Sequence, residues 1–334
     1  MSTFIKNPFS RANNKVYLAL TVMVVFFDLL AYGQNGCPNA NFSQGNFSNW
    51  YGYYGDFYNP SQYSGFVTTG NARHLIIQGP GYLDGNTCNG LNTVLPGEAF
   101  CARLGNDGTD AEAEQLRYSM TVTPDNNLFI YKYAVVLQDP NHTPEDQPSF
   151  TIEVKNQNGV VFDPTCGYFY VYAQYGLPGW NQCVSADVVW KDWTTVGLDL
   201  TPLIGQTISI EFTTRDCERG GHFGYAYIST TCAKLEMNVS YCPQSTSATL
   251  TAPPGFTYLW GNGATSQSIV VNNPAPGMSD SCLLTSVNGC QVTIYALIQP
   301  TVVTSNFTFV PQCPGVPVQF TDASTINQNT IANN

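Results

Sequence analysis

Four sets of side chains in the sequence are able to do more than pack. The segment LQDPNHTPEDQPSF, residues 137–150, places His142 among Asp139, Glu145 and Asp146. Carboxylates and loop carbonyls are hard oxygen donors, so this set predicts a loop that holds calcium or a polar ligand. The competing expectation is a loop whose side chains satisfy its own backbone. The segment RDCERGGHFGYAYI, residues 215–228, sets Cys217, Gly220-Gly221 and His222 before a strand with Phe223, Tyr225 and Tyr227 on one face. Paired glycines open backbone angles that other residues avoid, which suits a ligand-facing corner or a purely structural one.

The third set is an aromatic run: Trp50, Tyr51, Tyr53, Tyr54, Phe57, Tyr58, Tyr63 and Phe66. Flat rings stack on the apolar faces of sugars while phenol hydroxyls reach polar groups. Alternate rings of such a run also fill the core face of a strand. From these sets the candidate ligand contacts are His142, Trp50, Tyr54, His222 and Tyr225. The candidate calcium ligands are Asp139, Glu145 and Asp146, and no other cofactor is expected. The fourth set is five Asn-x-Ser/Thr sites, at Asn41, Asn46, Asn141, Asn238 and Asn306. These are glycan acceptors in a eukaryotic secreted chain and chance matches in an Asn-rich bacterial one.

Sets that catalyse are missing. There is no Gly-x-Ser-x-Gly elbow, no His-Glu-x-x-His pair and no phosphate-cradling glycine loop. Asp110, Glu112 and Glu114 cluster, as do Glu145 and Asp146, and both groups read as solvated loop charges. No catalytic residue is assigned. The absence of Cys-x-x-Cys pairs and the presence of only three histidines argue against zinc.

The elements that must position these residues are strands. Period-two or short apolar stretches recur at Leu75–Gln78, Leu116–Val122, Leu128–Leu137, Phe150–Val154, Trp193–Leu200, Thr207–Phe212 and Gly224–Ser229. Turn signals separate them, among them Asp139-Pro140, Asn158-Gly159, Pro178-Gly179 and Gly220-Gly221. This pattern predicts a sandwich or jelly roll. Asp110–Leu116 alone has helical propensity, enough for one or two turns. Charged residues are only 10% of the 334, against roughly 25% in ordinary soluble domains. Neutral polar sheet faces must therefore cover the surface. The net charge of −11 repels phosphate backbones and anionic lipid, so no nucleic-acid partner is expected.

Lys6, Arg11 and Lys15 precede an apolar run, Val16–Leu30, broken by Asp28, and then Ala31-Tyr32-Gly33. This reads as an export signal over residues 1–33, because the run is short of the ~20 residues a membrane span needs. The protein is therefore expected to be secreted or displayed at the outer cell surface. Eleven cysteines in an exported chain read as disulfides. Cys88 with Cys101 and Cys166 with Cys183 are the natural local pairs. Pairing of Cys37, Cys217, Cys232, Cys242, Cys282 and Cys290 is open, and Cys313 is expected to find its partner beyond Asn334.

Three units follow the signal. Residues 34–235 predict an all-β jelly roll. Residues 236–300 predict a small Ig-like sandwich, with Trp260 lying between Cys242 and Cys282. Residues 301–334 predict the start of a third β domain cut short, with strands at Asn306–Val310 and Val316–Phe320 around Pro314-Gly315.

The series CARLGND, AEAEQLRYSMTV, YKYAVVLQDPNHTPEDQPSFTIEV, WTTVGLDLTPLIGQTISIEFTTRDC and GGHFGYAYI resembles the N-terminal jelly-roll region, carbohydrate-binding or MAM-like, of large secreted Bacteroidetes proteins. FTYLWGNGATSQSIVV resembles their Ig-like repeat and CPGVPVQFTDAS the opening of a PKD-type domain. Such proteins often end in a gliding-motility or type IX sorting domain. The resemblance implies surface display and further domains downstream. Ser229 stands where members carry Asp, a departure from any calcium site built on that acid. The function expected is a non-catalytic adhesin-like protein that recognises glycans or extracellular matrix, with extracellular polysaccharide as its partner. The alternatives are an accessory region of a secreted hydrolase encoded beyond Asn334, and a hydrolase site within the first domain.

Overall fold

The computed structural model describes residues 36–275, 277–310 and 317–326. The expected export signal and Cys313 lie outside the described residues. The strands, in chain order, are β1 (Trp50–Asp56), β2 (Asn59–Ser64), β3 (His74–Gln78), β4 (Phe100–Leu104), β5 (Glu112–Thr121), β6 (Leu128–Gln138), β7 (Ser149–Lys155), β8 (Tyr168–Tyr172), β9 (Asn181–Cys183), β10 (Val188–Asp199), β11 (Thr207–Arg215), β12 (Gly224–Ala233), β13 (Asn238–Ser240), β14 (Ser247–Thr251), β15 (Thr257–Trp260), β16 (Ser268–Asn272), β17 (Met278–Thr285), β18 (Gln291–Ile298), β19 (Val303–Thr304), β20 (Phe307–Phe309), β21 (Phe320–Asp322) and β22 (Thr325–Ile326). The protein is all-β, as its period-two pattern requires.

Two six-stranded antiparallel sheets form the first sandwich. Sheet one runs β2-β1-β5-β11-β7-β8 and sheet two runs β3-β4-β12-β6-β10-β9. The chain alternates between them, as in a jelly roll. In β7, Phe150, Ile152 and Val154 point into the core, and the residues between them point outward. β11 does the same with Ile208, Ile210 and Phe212. β6 is buried on both sides. Phe129, Tyr131, Tyr133, Val135 and Leu137 face sheet one, whereas Ala134 and Val136 join a second cluster with Leu91, Val94 and Trp190. The outer face of sheet two is thus roofed by its own loops. A strand covered on both faces reads as a nearly continuous apolar run, and LFIYKYAVVL is one.

The expected helical turns at Asp110–Leu116 are strand instead. β5 begins at Glu112 and pairs along its length with β1 on one side and β11 on the other. Two ladders of backbone hydrogen bonds outweigh a local helical preference worth a few tenths of a kcal/mol per residue. Glu114 is not a solvated loop charge either, whereas Asp110 is exposed at a bend before the strand. Glu114 is buried, with Arg73 Nε at 2.6 Å and the Thr214 hydroxyl donating at 2.9 Å. Burial pushes its carboxyl up to about 7. Asp216 accepts backbone N–H groups from Gly224 and Glu112, yet burial beside Glu114 pushes it up to about 8.

A second, smaller sandwich packs β13-β14-β16 on β15-β17-β18. Its core holds Trp260, Leu250, Ile269, Leu284 and Ile294, and it is continued by Leu128 and Ile130 of β6. The two sandwiches approach closely where Gly197 N–H donates to the Gly255 carbonyl at 2.9 Å. A Cβ on Gly255 would lie 2.3 Å from that nitrogen, so the contact requires glycine there. Beyond it, β20 pairs with β21 and β19 with β22.

The disulfides are Cys37–Cys232, Cys88–Cys183 and Cys166–Cys290. Neither local bridge expected from spacing forms. Cys101 is buried under the loop roof with its thiol 3.0 Å from the Thr93 carbonyl, and Cys88 instead reaches Cys183 on the far edge of sheet two. Cys166 ties the loop after β7 to Cys290 of the second sandwich. The Ig-like expectation of a tryptophan on an inter-sheet bridge also changes. Trp260 lies opposite Cys282 in the core, but Cys282 and the exposed Cys242 are both unpaired.

Replacing Cys37 and Cys232 together by Ser releases a loop spanning 195 positions and is expected to lower the unfolding free energy by about 5 kcal/mol, read by urea denaturation. Peptide mapping is expected to recover Cys166 joined to Cys290. The buried acids give a second expectation. In the unfolded chain Asp216 and Glu114 titrate as ordinary carboxyls, so the folded state holds their protons more tightly. Their contribution to stability is fully present below about pH 4 and is lost as pH rises through 7 to 8. Asp216→Asn is expected to flatten that fall.

Candidate functional site

Sheet one has one face on the core and one face open. The strand registers lay its outward side chains in rows. One row reads Tyr53, Gln115, Thr213, Thr151, Tyr170 across the sheet, and its neighbour reads Tyr51, Arg117, Glu211, Glu153, Tyr168. Arg215 and Ser149 begin a third row that ends at Tyr172. Antiparallel neighbours at these positions are close enough for side chains to bond directly.

A groove of about 470 Å³ lies over these rows. Phe57, Pro60 and Ser61 from the β1–β2 hairpin form one wall, and Tyr168 and Tyr170 of β8 form the other. The floor carries Gln115, Thr151, Thr213, Glu153, Lys155 and Arg215. Tyr168 and Tyr170 are 41% and 43% exposed.

The floor is held in place by charge. Glu211 is 2% exposed. Its Oε1 lies 2.8 Å from Arg117 Nε, and its Oε2 lies 2.6 Å from Lys155 Nζ. Ser209 and Gln115 also donate to it, at 3.1 and 3.3 Å. Lys155 bonds Glu153 at 3.0 Å as well. Burial pulls the Lys155 ammonium down, but its hydrogen bonds to the two carboxylates outweigh that and hold it above its usual range. The Arg117 guanidinium sits 4.7 Å from the Tyr53 ring centre, a cation–π contact. Arg215 donates from Nε to the Phe57 carbonyl at 3.2 Å and from Nη1 to the Thr151 hydroxyl at 3.5 Å, and it lines the groove. Among the described residues no carboxylate lies within 4 Å of Arg215, and burial lowers its pKa. The result is a fixed array of hydroxyl, amide and guanidinium groups between aromatic walls.

Of the candidate ligand contacts and calcium ligands, none lines this groove, although Phe57 of the aromatic run and Arg215 of the 215–228 segment do. Trp50 is 4% exposed, stacks on Phe42 at 4.7 Å and donates from Nε1 to the Asn39 carbonyl. It is a core residue, because the even positions of β1 face inward. Tyr54 is half-buried beside Tyr63 and Arg73, away from the groove. Tyr225 is 3% exposed under the loop roof, where its hydroxyl and that of Tyr227 both donate to Asp84. The proposed calcium ligands do not converge. Asp139 accepts from the Asn141 and Tyr175 backbones and from Gln147 Nε2. Asp146 pairs with Arg219 at 3.2 Å, and Glu145 is exposed. These are loop-closing roles, and they leave Asp139 little capacity for an ion. His142 and His222 do meet, with ring centres 5.4 Å apart, at one rim of the sandwich.

The other groove residues were missed because each is ordinary by itself. Their signal was the outward half of two alternating strands, SFTIEVK and YFYVY, where Thr151, Glu153, Tyr168 and Tyr170 occupy every second place.

No protein-family model and no curated protein matches the sequence. Among solved structures, the chain is similar to a carbohydrate-binding module, TmCBM61, solved with β-1,4-galactotriose. The identity is 9%, covering 59% of this chain and 96% of the module, with a TM-score of 0.32. It is also similar to the K2 cleaved adhesin domain of Lys-gingipain, at 14% identity over 55% of this chain and 97% of that domain, TM-score 0.24. A β-1,2-glucanase from Parabacteroides distasonis matches at 9% identity over 70% of this chain and 38% of the enzyme, TM-score 0.22. The chain therefore spans little more than a third of that hydrolase. Likenesses this distant carry no argument about ligand or activity.

Glu211→Ala strips the shared anion from Arg117 and Lys155 and leaves two cations facing each other in the floor. The expected loss of stability is about 2 kcal/mol by urea denaturation, since a broken buried pair costs several kcal/mol and both cations here reach water in part.

Proposed function

We propose that the open face of sheet one binds oligosaccharide outside the cell and performs no chemistry on it. The observation that carries this reading is the groove itself, with the exposed Tyr168 and Tyr170 rings on one wall, Phe57 on the other and a preorganised polar floor between. Sugars present apolar C–H faces and a fringe of hydroxyls, and this pairing of flat rings with fixed donors and acceptors matches both. The fixed floor lowers the ordering cost of binding.

The charge arrangement supports binding over hydrolysis. Glycoside hydrolysis needs one carboxyl ready to give a proton and another to attack or activate water. Glu211 is enclosed by two cations, and Glu153 is bonded to Lys155. Three disulfides fit an oxidising, extracellular setting. Among the described residues no helix is long and apolar enough to cross a membrane. Surface adhesion through glycans is the role that joins these features.

The test is a glycan array on the intact chain, followed by calorimetry on the best ligand. Tyr168→Ala and Tyr170→Ala are each expected to weaken binding about tenfold, roughly the worth of one stacked ring. The double variant is expected to lose measurable binding while keeping the parent's melting temperature. No binding across the array, or a double variant as tight as the parent, would overturn the proposal.

A further inference from the structure

The rim where His142 and His222 meet holds a third group. Cys217 is fully buried and unpaired. One nitrogen from each histidine and the Cys217 sulfur all lie within 4.8 Å of one another. Cys217 Sγ is 3.4 Å from His222 Nδ1 and accepts the Gly221 N–H at 3.3 Å. His142 Nδ1 is buried with no hydrogen-bond partner. The protein has three histidines in all, and two of them converge on an unoxidised cysteine.

We propose that His142, Cys217 and His222 form a zinc site that clasps the loop after β6 to the loop between β11 and β12. Two imidazoles and a thiolate are a donor set of borderline softness, which suits zinc and disfavours calcium. Zinc takes nitrogen ligands at about 2.0–2.1 Å and sulfur at about 2.3 Å, so tetrahedral ligands stand about 3.5 Å apart. The 3.4 Å separation of Cys217 Sγ and His222 Nδ1 already meets that geometry. The remaining adjustment is small side-chain rotation by His142, which lies on a surface loop.

Cys217 is one of four unpaired cysteines among the described residues, and it is the one that two histidines reach. The site explains two features that packing does not. The Gly221 N–H aimed at Sγ stabilises sulfur as the anion that binds metal. A buried His142 nitrogen without a partner costs free energy unless something fills its lone pair. On binding, the Cys217 thiol releases its proton to solvent and its sulfur forms the bond to zinc. Three protein ligands leave the fourth position to water or to a group from outside. The loops it would join adjoin the groove, since Cys217 follows Arg215 by two residues and Tyr58 of the hairpin donates to Glu218.

The experiment uses the full chain, freed of metal by a chelator and titrated with Zn²⁺ against a chromophoric competitor. Co²⁺ serves as the optical probe. The expected result is one ion per chain, an intense thiolate-to-cobalt charge-transfer band, and a rise in melting temperature with Zn²⁺. Cys217→Ser is expected to abolish the band and weaken Zn²⁺ binding at least 100-fold. His142→Gln, on a surface loop where folding is safe, is expected to weaken it at least tenfold and to remove the thermal shift. The inference falls if the parent binds no stoichiometric zinc, if the band survives in Cys217→Ser, or if Cys217 is recovered in a disulfide.

Discussion

Glu211 places a carboxylate almost wholly out of water in the middle of a sheet face that is itself open. Such a charge is stable only when opposite charges and hydrogen bonds replace the lost solvent. Arg117 and Lys155 do this from the two neighbouring strands, with Ser209 and Gln115 completing the shell. The network therefore ties β5, β11 and β7 across their outer face, as the aromatic core ties them across the inner one. It also fixes the floor of the groove, because those cations have one arrangement that keeps Glu211 paired.

The two sheets solve the same problem in opposite ways. Sheet two roofs its outer face with the segment between β3 and β4, seals the roof with Leu91, Val94 and Trp190, and pins it through Asp84 to two tyrosine hydroxyls. The Cys88–Cys183 bridge fastens the same roof at its edge. Sheet one keeps its outer face wet and satisfies it with charge pairs and hydroxyls. A sandwich with one sealed and one open face has a single broad surface on which a ligand can lie. The walls of that surface come from the hairpin at one edge and β8 at the other, and both project beyond the floor.

The rim loops link this face to the rest of the molecule. Asp139 organises the loop after β6, Asp216 joins the start of β5 to the start of β12, and Tyr58 and Arg219 cross between loops to Glu218 and Asp146. The covalent bond from Cys166 to Cys290 then couples the strand edge beside the groove to the second sandwich.

The sequence by itself determined the fold class, because alternation of apolar and polar residues in SFTIEVK or TISIEFTTR permits a strand with one buried face and little else. It determined the sealed strand too, since LFIYKYAVVL has no polar face to expose. It identified the loops carrying His142 and His222 as chemically unusual. Tertiary structure alone decided the rest. Whether Trp50 or Tyr51 faces the core depends on the register of β1 against β5, and a shift of one residue exchanges the two. The cysteine pairs joined positions 95, 124 and 195 residues apart, distances that chain proximity cannot rank. Tyr168, Thr151, Thr213 and Gln115 come from four strands spread over 98 positions of the chain, from Gln115 to Thr213, and only lateral pairing sets them side by side. His142 and Cys217 are likewise brought together by the packing of loops distant in sequence, a contact no local pattern of residues encodes.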